Sequence, residues 1–232
     1  MFLVLFFALS FPISGFVEDF NALTKWEPLE FQGVSSLTEY SVRDGVLVCK
    51  SNKSSAGLKL KQPFDPNKTP ILRWRWKVTS LPENADITNK KTEDLPIRLY
   101  IIFDYDASVA SRFDSILASI FLKLYDEIPP RDSMAYIWAN RDHELPFLRS
   151  KYTQKLAFIP VDFGAQKIGE WQTHSRNIIE DYQMTYARQI SSSATLVILC
   201  DSDNTGSSAS AEIDFISLDR KSTRLNSSHQ II

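Results

Sequence analysis

The residues with the most evident chemical potential lie in one stretch, Cys200-Asp-Ser-Asp-Asn-Thr-Gly206, at the end of an apolar run, Leu196 to Leu199. Asp201, Asp203, Thr205, Gly206 and Glu212 fall at the first, third, fifth, sixth and twelfth places of an EF-hand-like loop, a spacing that gathers oxygen ligands around calcium. Both flanks read as strands, however, whereas an EF-hand needs helices. Ser208 also stands where that pattern wants an apolar residue. The competing reading is a strand-end turn in which Asp and Asn side chains hydrogen-bond nearby amides. A second set is cationic. Arg73 and Arg75, with Arg98, offer planar guanidinium groups that bind a carboxylate or phosphate in bidentate fashion. Charge pairing across the sheet is the preferred reading for these arginines.

Catalytic signatures are sparse. Outside the tail only His143 and His174 occur, in no metal-ligand spacing. No Gly-x-Ser-x-Gly elbow and no phosphate-cradling glycine loop is present. Carboxylate pairs for glycoside hydrolysis meet in space rather than in sequence, so Asp94, Asp181, Asp201 and Asp203 form the pool for that chemistry. The formal net charge of −2 gives no basic footprint for nucleic acid. No cofactor is indicated beyond the calcium reading.

The elements that must position these residues are mostly strands. Hydrophobic residues make up 44% of the chain and aromatic residues 12%, enough for a substantial core. Glu39 to Cys49 reads as a hairpin turning at Asp44-Gly45, and Ala56 to Lys61 as a strand. In Pro70 to Val78, period-two alternation puts Leu72, Trp74, Trp76 and Val78 on one face and Arg73, Arg75 and Lys77 on the other. Ile97 to Asp104 reads as a central strand covered on both faces. Met134 to Trp138, Lys155 to Val161, Thr195 to Cys200 and Ala211 to Leu218 complete the strands, about eight to ten in all. Trp138 and Trp171, near element ends, could stack on a sugar ring, although packing is the preferred role.

Two helices interrupt this rhythm. Phe113, Ile116, Leu117, Ile120, Phe121 and Leu124 form an apolar stripe after a Ser111–Asp114 cap, expected to pack on the core. Asn177 and Glu180 cap a second helix, led into from Gly169-Glu170-Trp171 and striped by Ile178, Tyr182, Tyr186 and Ile190. The expected fold is therefore a mainly β, antiparallel sandwich with two inserted or flanking helices, as one domain over residues 16–219.

Residues 1–15 read as a signal peptide: Phe2 to Phe11 is almost unbroken apolar, too short to span a bilayer, and small residues follow. A periplasmic or secreted protein without a membrane span is expected. Residues 220–232 lack periodicity and resemble translated sequencing-adapter read-through, so they read as a non-native tail. Cys49 and Cys200 both sit in apolar strand patterns. A bridge between them, worth roughly 3–5 kcal/mol in the chain-entropy model, and a pair of buried free thiols are both compatible with that placement.

Leu72-Arg-Trp-Arg-Trp-Lys77, Glu93-Asp-Leu-Pro-Ile-Arg-Leu-Tyr100, Ala135-Tyr-Ile-Trp-Ala-Asn140, Arg176-Asn-Ile-Ile-Glu-Asp-Tyr182 and Cys200-Asp-Ser-Asp-Asn-Thr-Gly206 together resemble the bacterial domain-of-unknown-function 3047 family. Glu93 stands where that family usually has a second Asp. The resemblance implies an exported jelly-roll sandwich akin to galactose-binding-type domains, and it implies no activity. Arg75, Asp94, Arg98, Asn140, Arg176, Asp201, Asp203 and Asn204 make up the candidate ligand-binding set, and Asp201, Asp203, Thr205 and Glu212 the candidate calcium set. The expected function is non-catalytic binding of carbohydrate or another envelope polymer. The alternatives are a glycan hydrolase using the Asp cluster and a structural or protein-interaction domain.

Overall fold

The computed structural model describes residues 15–31, 33–125 and 130–220; the expected signal peptide and tail lie essentially outside them. Two sheets face each other. The first has the order β11-β6-β13-β4-β3, with β1 added beside β13, from β1 (Phe16–Glu18), β3 (Glu39–Arg43), β4 (Val46–Asn52), β6 (Ile71–Ser80), β11 (Gln172–Asn177) and β13 (Ser208–Asp219). The second has the order β2-β5-β12-β7-β8-β10-β9. Its strands are β2 (Trp26–Leu29), β5 (Ser55–Leu60), β7 (Arg98–Phe103), β8 (Asp132–Ala139), β9 (Leu148–Arg149), β10 (Leu156–Phe163) and β12 (Ala194–Asp201). The architecture is a mainly β, jelly-roll-type sandwich with two helices, α1 (Arg112–Tyr125) and α2 (Ile178–Tyr186).

Alternation builds the core. Leu72, Trp74, Trp76 and Val78 are all fully buried between the sheets, facing Leu99, Ile101, Met134, Tyr136 and Ile198. Trp74 stacks on Tyr136 at 4.9 Å between ring centroids, tying β6 to β8. A second apolar cluster forms on the outer face of the seven-stranded sheet. There Ile87 and Leu95, from the 81–97 connection, cover Ala135, Ile137, Ala139 and Phe158. Burial on both faces explains why β7 and β8 read as near-continuous apolar runs.

The structure departs from the expected elements in four places. Thirteen strands are described rather than eight to ten. The lead into α2, Gln172–Asn177, is itself an edge strand; its sequence, Gln-Thr-His-Ser-Arg-Asn, contains no apolar residue, and its inward His174 meets the Asp162 carboxylate. The β8–β10 pair runs parallel, so the second sheet is mixed rather than wholly antiparallel. In α1 the Ser111–Asp114 cap forms as expected, the Asp114 amide donating to Ser111 Oγ at 3.1 Å. Yet Phe113 and Ile116 are exposed, so this part of the stripe does not pack on the core; Leu117, Ile120, Phe121 and Leu124 lie outside the described side chains. In α2, Asn177 caps the first turn by accepting from the Ile179 and Glu180 amides, and Ile178 and Tyr182 are buried; Ile190 lies past the helix end.

Candidate functional site

Strand alternation delivers a cluster of polar side chains to one corner of the seven-stranded sheet. Leu196, Ile198 and Cys200 of β12 point into the core, so Asp201 emerges on the opposite face. Leu99 and Ile101 of β7 also point inward, which places Arg98 and Tyr100 on that same outer face. Antiparallel register sets Arg98 beside Leu199. Arg98, 3% exposed, donates from Nη2 to both Asp201 carboxylate oxygens and to the Glu93 carbonyl (3.1 Å), and from Nη1 to the Tyr100 hydroxyl (3.1 Å). The Leu95 amide donates to Asp201 Oδ1 at 2.9 Å. The Arg98 Nε is buried without a partner.

The 81–97 connection and the 202–207 turn are clasped together by Asp94. Its Oδ1 accepts from the Asn204 amide (3.3 Å) and Asn204 Nδ2 (3.1 Å), and its Oδ2 from the Thr205 amide (2.7 Å) and Thr205 Oγ1 (2.6 Å). Glu93, also buried, accepts from Ser150 Oγ at 3.1 and 3.2 Å and from the Lys151 amide at 3.3 Å. Tyr152, 52% exposed, donates to the Lys90 carbonyl at 2.8 Å and lies 3.3 Å from Asn204 Oδ1. Lys90 Nζ sits 4.7 Å over the Tyr152 ring. Asp203 is the exposed carboxylate of the group.

Burial dominates the electrostatics here. It raises the Asp201 carboxyl to about 6, with Arg98 and the Leu95 amide pulling the other way. Burial raises Glu93 and Asp203 as well, and the negative charge of Asp94 adds to the rise in both. Burial alone would lower the Arg98 pKa, but Asp201 reverses that and holds the guanidinium firmly charged.

One oxygen from each of Asp94, Asp201 and Asp203 converges within 4.8 Å, the arrangement that could hold a cation. The donor set does not suit calcium, which takes about 6–8 oxygens. Asp94 already accepts four hydrogen bonds, Asp201 is engaged by Arg98, and the Thr205 hydroxyl is spent on Asp94. Glu212 corrects the EF-hand spacing outright. It sits in β13 opposite Lys77 and pairs with that lysine at 2.7 Å on the other sheet.

The candidate ligand set therefore divides. Asp94, Arg98, Asp201, Asp203 and Asn204 come together. Arg75 does not join them: it pairs with Asp214 at 2.9 Å and lies 5.0 Å over the Trp171 ring on the far sheet, while Arg73 pairs with Asp219. Arg176 binds the buried Asp181, which also accepts from the Tyr136 hydroxyl at 2.6 Å, so Asp181 leaves the carboxylate pool as well. Asn140 donates to the Pro82 carbonyl at 2.6 Å at the root of the 81–97 connection. Trp138 is buried in the core. Tyr100, Ser150 and Tyr152 were not legible from the sequence; an aromatic in a polar loop was the one signal for Tyr152. A separate cleft of about 520 Å³, lined in part by Tyr182, Gln183 and Arg188, opens beside α2.

A model of the family described as "Protein of unknown function (DUF3047)" matches residues 24–217. No curated protein matches the chain. Among solved structures, a prokaryotic β-1,3-1,4-glucanase (lichenase) from a mouse hindgut metagenome superposes with a TM-score of 0.49 and 11% identity, covering 90% of this chain and 100% of that one. The family 11 carbohydrate-binding module of a Clostridium thermocellum cellulosomal cellulase gives a TM-score of 0.43 and 12% identity, over 91% of this chain and 95% of that one.

Proposed function

We propose that this chain, which belongs to the DUF3047 family, binds a polyhydroxylated ligand of the carbohydrate type at the Arg98–Asp201 corner and does not transform it. The observation that carries this reading is an exposed aromatic ring, Tyr152, beside an accessible carboxylate and amide, Asp203 and Asn204. Beneath them lies the buried network of Arg98, Asp201, Asp94 and Glu93. Sugar rings offer an apolar face to an aromatic ring and hydroxyl donors to carboxylates, and a few fixed polar groups in such a site set orientation. Pre-ordering by Asp94 lowers the entropy lost on binding. Of the four carboxylates at this corner, Glu93, Asp94 and Asp201 are buried and Asp203 is exposed, which argues against an acid–base pair of a glycosidase here. The site acts in the periplasm or outside the cell, where residues 1–15 direct the chain.

The test is a thermal-shift and calorimetric screen of neutral oligosaccharides, with release of reducing ends followed in the same samples. Binding at ~100 times the dissociation constant adds about 2.7 kcal/mol to stability. Asp203→Asn and Tyr152→Ala, both at exposed positions, should weaken that binding by at least about tenfold without lowering the melting temperature of the free protein. Binding unaffected by either change refutes the site. Turnover of a bound sugar refutes the non-catalytic reading in favour of the hydrolase.

A further inference from the structure

The two cysteines lie on strands of opposite sheets, Cys49 on β4 and Cys200 on β12. Ser51 stands two residues after Cys49 on β4, and Ser202 two residues after Cys200 at the end of β12; their hydroxyls meet across the sandwich at 2.6 Å. Residues two apart on a strand share a face, so Cys49 points inward beside Ser51; Cys200 faces the same core, near enough for the Cys49 charge to act on its thiol. Both are fully buried in the same core cluster, and both are free thiols in this structure. Cys49 pairs with Ala211 in the β4–β13 register, and Cys200 Sγ lies 3.9 Å from the carbonyl of Ala209, the neighbouring inward residue of β13. Thr38, just before β3, and Tyr40 of β3 also grip the Cys200 backbone: Thr38 Oγ1 donates to the Cys200 carbonyl at 2.7 Å, and the Cys200 amide donates to the Tyr40 hydroxyl at 3.2 Å. Strands β4 and β12 come within 8 Å, Cα to Cα. Small residues line this corner, and a disulfide asks for Cα atoms about 4.4–6.8 Å apart.

We propose that Cys49 and Cys200 are joined as an inter-sheet disulfide when the chain folds in an oxidising compartment, pinning the strand end that carries Asp201. A low-molecular-weight disulfide is the oxidant. One cysteine thiolate attacks it, releasing one thiol and forming a mixed disulfide; the second cysteine thiolate then displaces the other thiol and closes the Cys49–Cys200 bond. Two cysteine thiols are oxidised and one disulfide is reduced to two thiols, so atoms and electrons balance. Burial pushes both thiols far above their ordinary pKa, with each other's charge adding to the rise at Cys200. Thiolate chemistry is therefore suppressed in the folded protein, and the bond forms before the sandwich closes. Once folded, the crosslinked and dithiol forms do not interconvert readily.

The full chain, unfolded in urea and reduced, is refolded either with oxidised and reduced glutathione or with a phosphine reductant. The expected oxidised product is a monomer lighter by two hydrogens, with a Cys49–Cys200 linked peptide in a non-reducing digest and a melting temperature higher by roughly 5–15 °C than the reduced form. Native reduced protein should resist both glutathione and alkylation until it is unfolded. Cys49→Ala and Cys200→Ala should each abolish the difference between the two buffers. Two titratable thiols in the oxidatively refolded protein, or crosslinks found only between molecules, overturn the proposal. The wild-type readout alone decides it if a variant fails to fold.

Discussion

Replacing Arg98 by methionine removes the cation at the centre of the candidate site while keeping much of its aliphatic volume. The Arg98 and Asp201 side chains are 4% and 7% exposed, so water can compensate neither partner. Breaking a buried pair by removing one member costs about 3–5 kcal/mol, because the remaining charge is left unmatched. The cost must depend on pH. Asp201 titrates in the folded protein at about 6, above the ordinary carboxylate range, since burial outweighs the pull of Arg98. A raised folded pKa means that folded protein holds its proton more tightly than unfolded chain. Stability from this group is therefore fully present below the unfolded pKa, near 3.9, and is lost as pH rises through the folded value. Removing Arg98 lifts the Asp201 pKa further and carries the loss to higher pH. Urea denaturation followed by tryptophan fluorescence should give a cost of about 3–5 kcal/mol at pH 7.5 and at least about 1 kcal/mol less at pH 5, where the carboxyl is largely neutral. The double variant Arg98→Met/Asp201→Asn, which keeps an acceptor for the Leu95 amide, should recover more than half of the loss at pH 7.5. A cost below about 1 kcal/mol at pH 7.5, or the same cost at both pH values, refutes the reasoning.

Other parts of the molecule give equally direct tests. Trp76 Nε1 donates to Asp162 at 2.7 Å, whereas the buried Trp74 Nε1 has no partner, so Trp76→Phe should destabilise by about 1.5–3 kcal/mol more than Trp74→Phe in the same denaturation assay. Equal costs would remove the Asp162 hydrogen bond from the account. Asn177→Ala deletes the acceptor for the Ile179 and Glu180 amides at the start of α2 and should cost about 1 kcal/mol; an unchanged urea midpoint would show the cap to be energetically silent.

What the sequence disclosed follows from how locally each feature is encoded. The β6 face was legible because Leu72, Trp74, Trp76 and Val78 alternate without interruption and are all buried. The α2 cap was legible because Asn177 and the amides it serves lie within three residues. Strand β11 was not legible: an edge strand with a wet outer side and a polar seam inside carries no apolar alternation. That seam brings His174 Nε2 to 2.7 Å from the Asp162 carboxylate, a partnership invisible to spacing rules. The α1 stripe misled in the opposite direction, since its periodicity was correct and yet Phe113 and Ile116 face solvent.

The site was half legible for the same reason. Asp201, Asp203 and Asn204 announce themselves as a turn, but what organises them comes from elsewhere in the chain, Arg98 from 103 residues away and Asp94 from 110. Charge alone could not sort the arginines. Arg75 and Arg176 look like Arg98 in sequence, and only the fold shows that the first two are satisfied by Asp214 and Asp181, away from the corner. The EF-hand spacing failed at Glu212 on a matter of geometry. A loop ligand at the twelfth place requires the chain to keep wrapping, and here β13 begins at Ser208, so strand alternation carries Glu212 to Lys77 on the opposite sheet. Asp94, arriving from the 81–97 connection, takes the place within the cluster that the spacing had assigned to Glu212, and it acts there as an acceptor for the turn's own amides and hydroxyl. The acidic corner is thus held together by hydrogen bonds and one guanidinium, with Asp203, Asn204 and Tyr152 exposed at its surface.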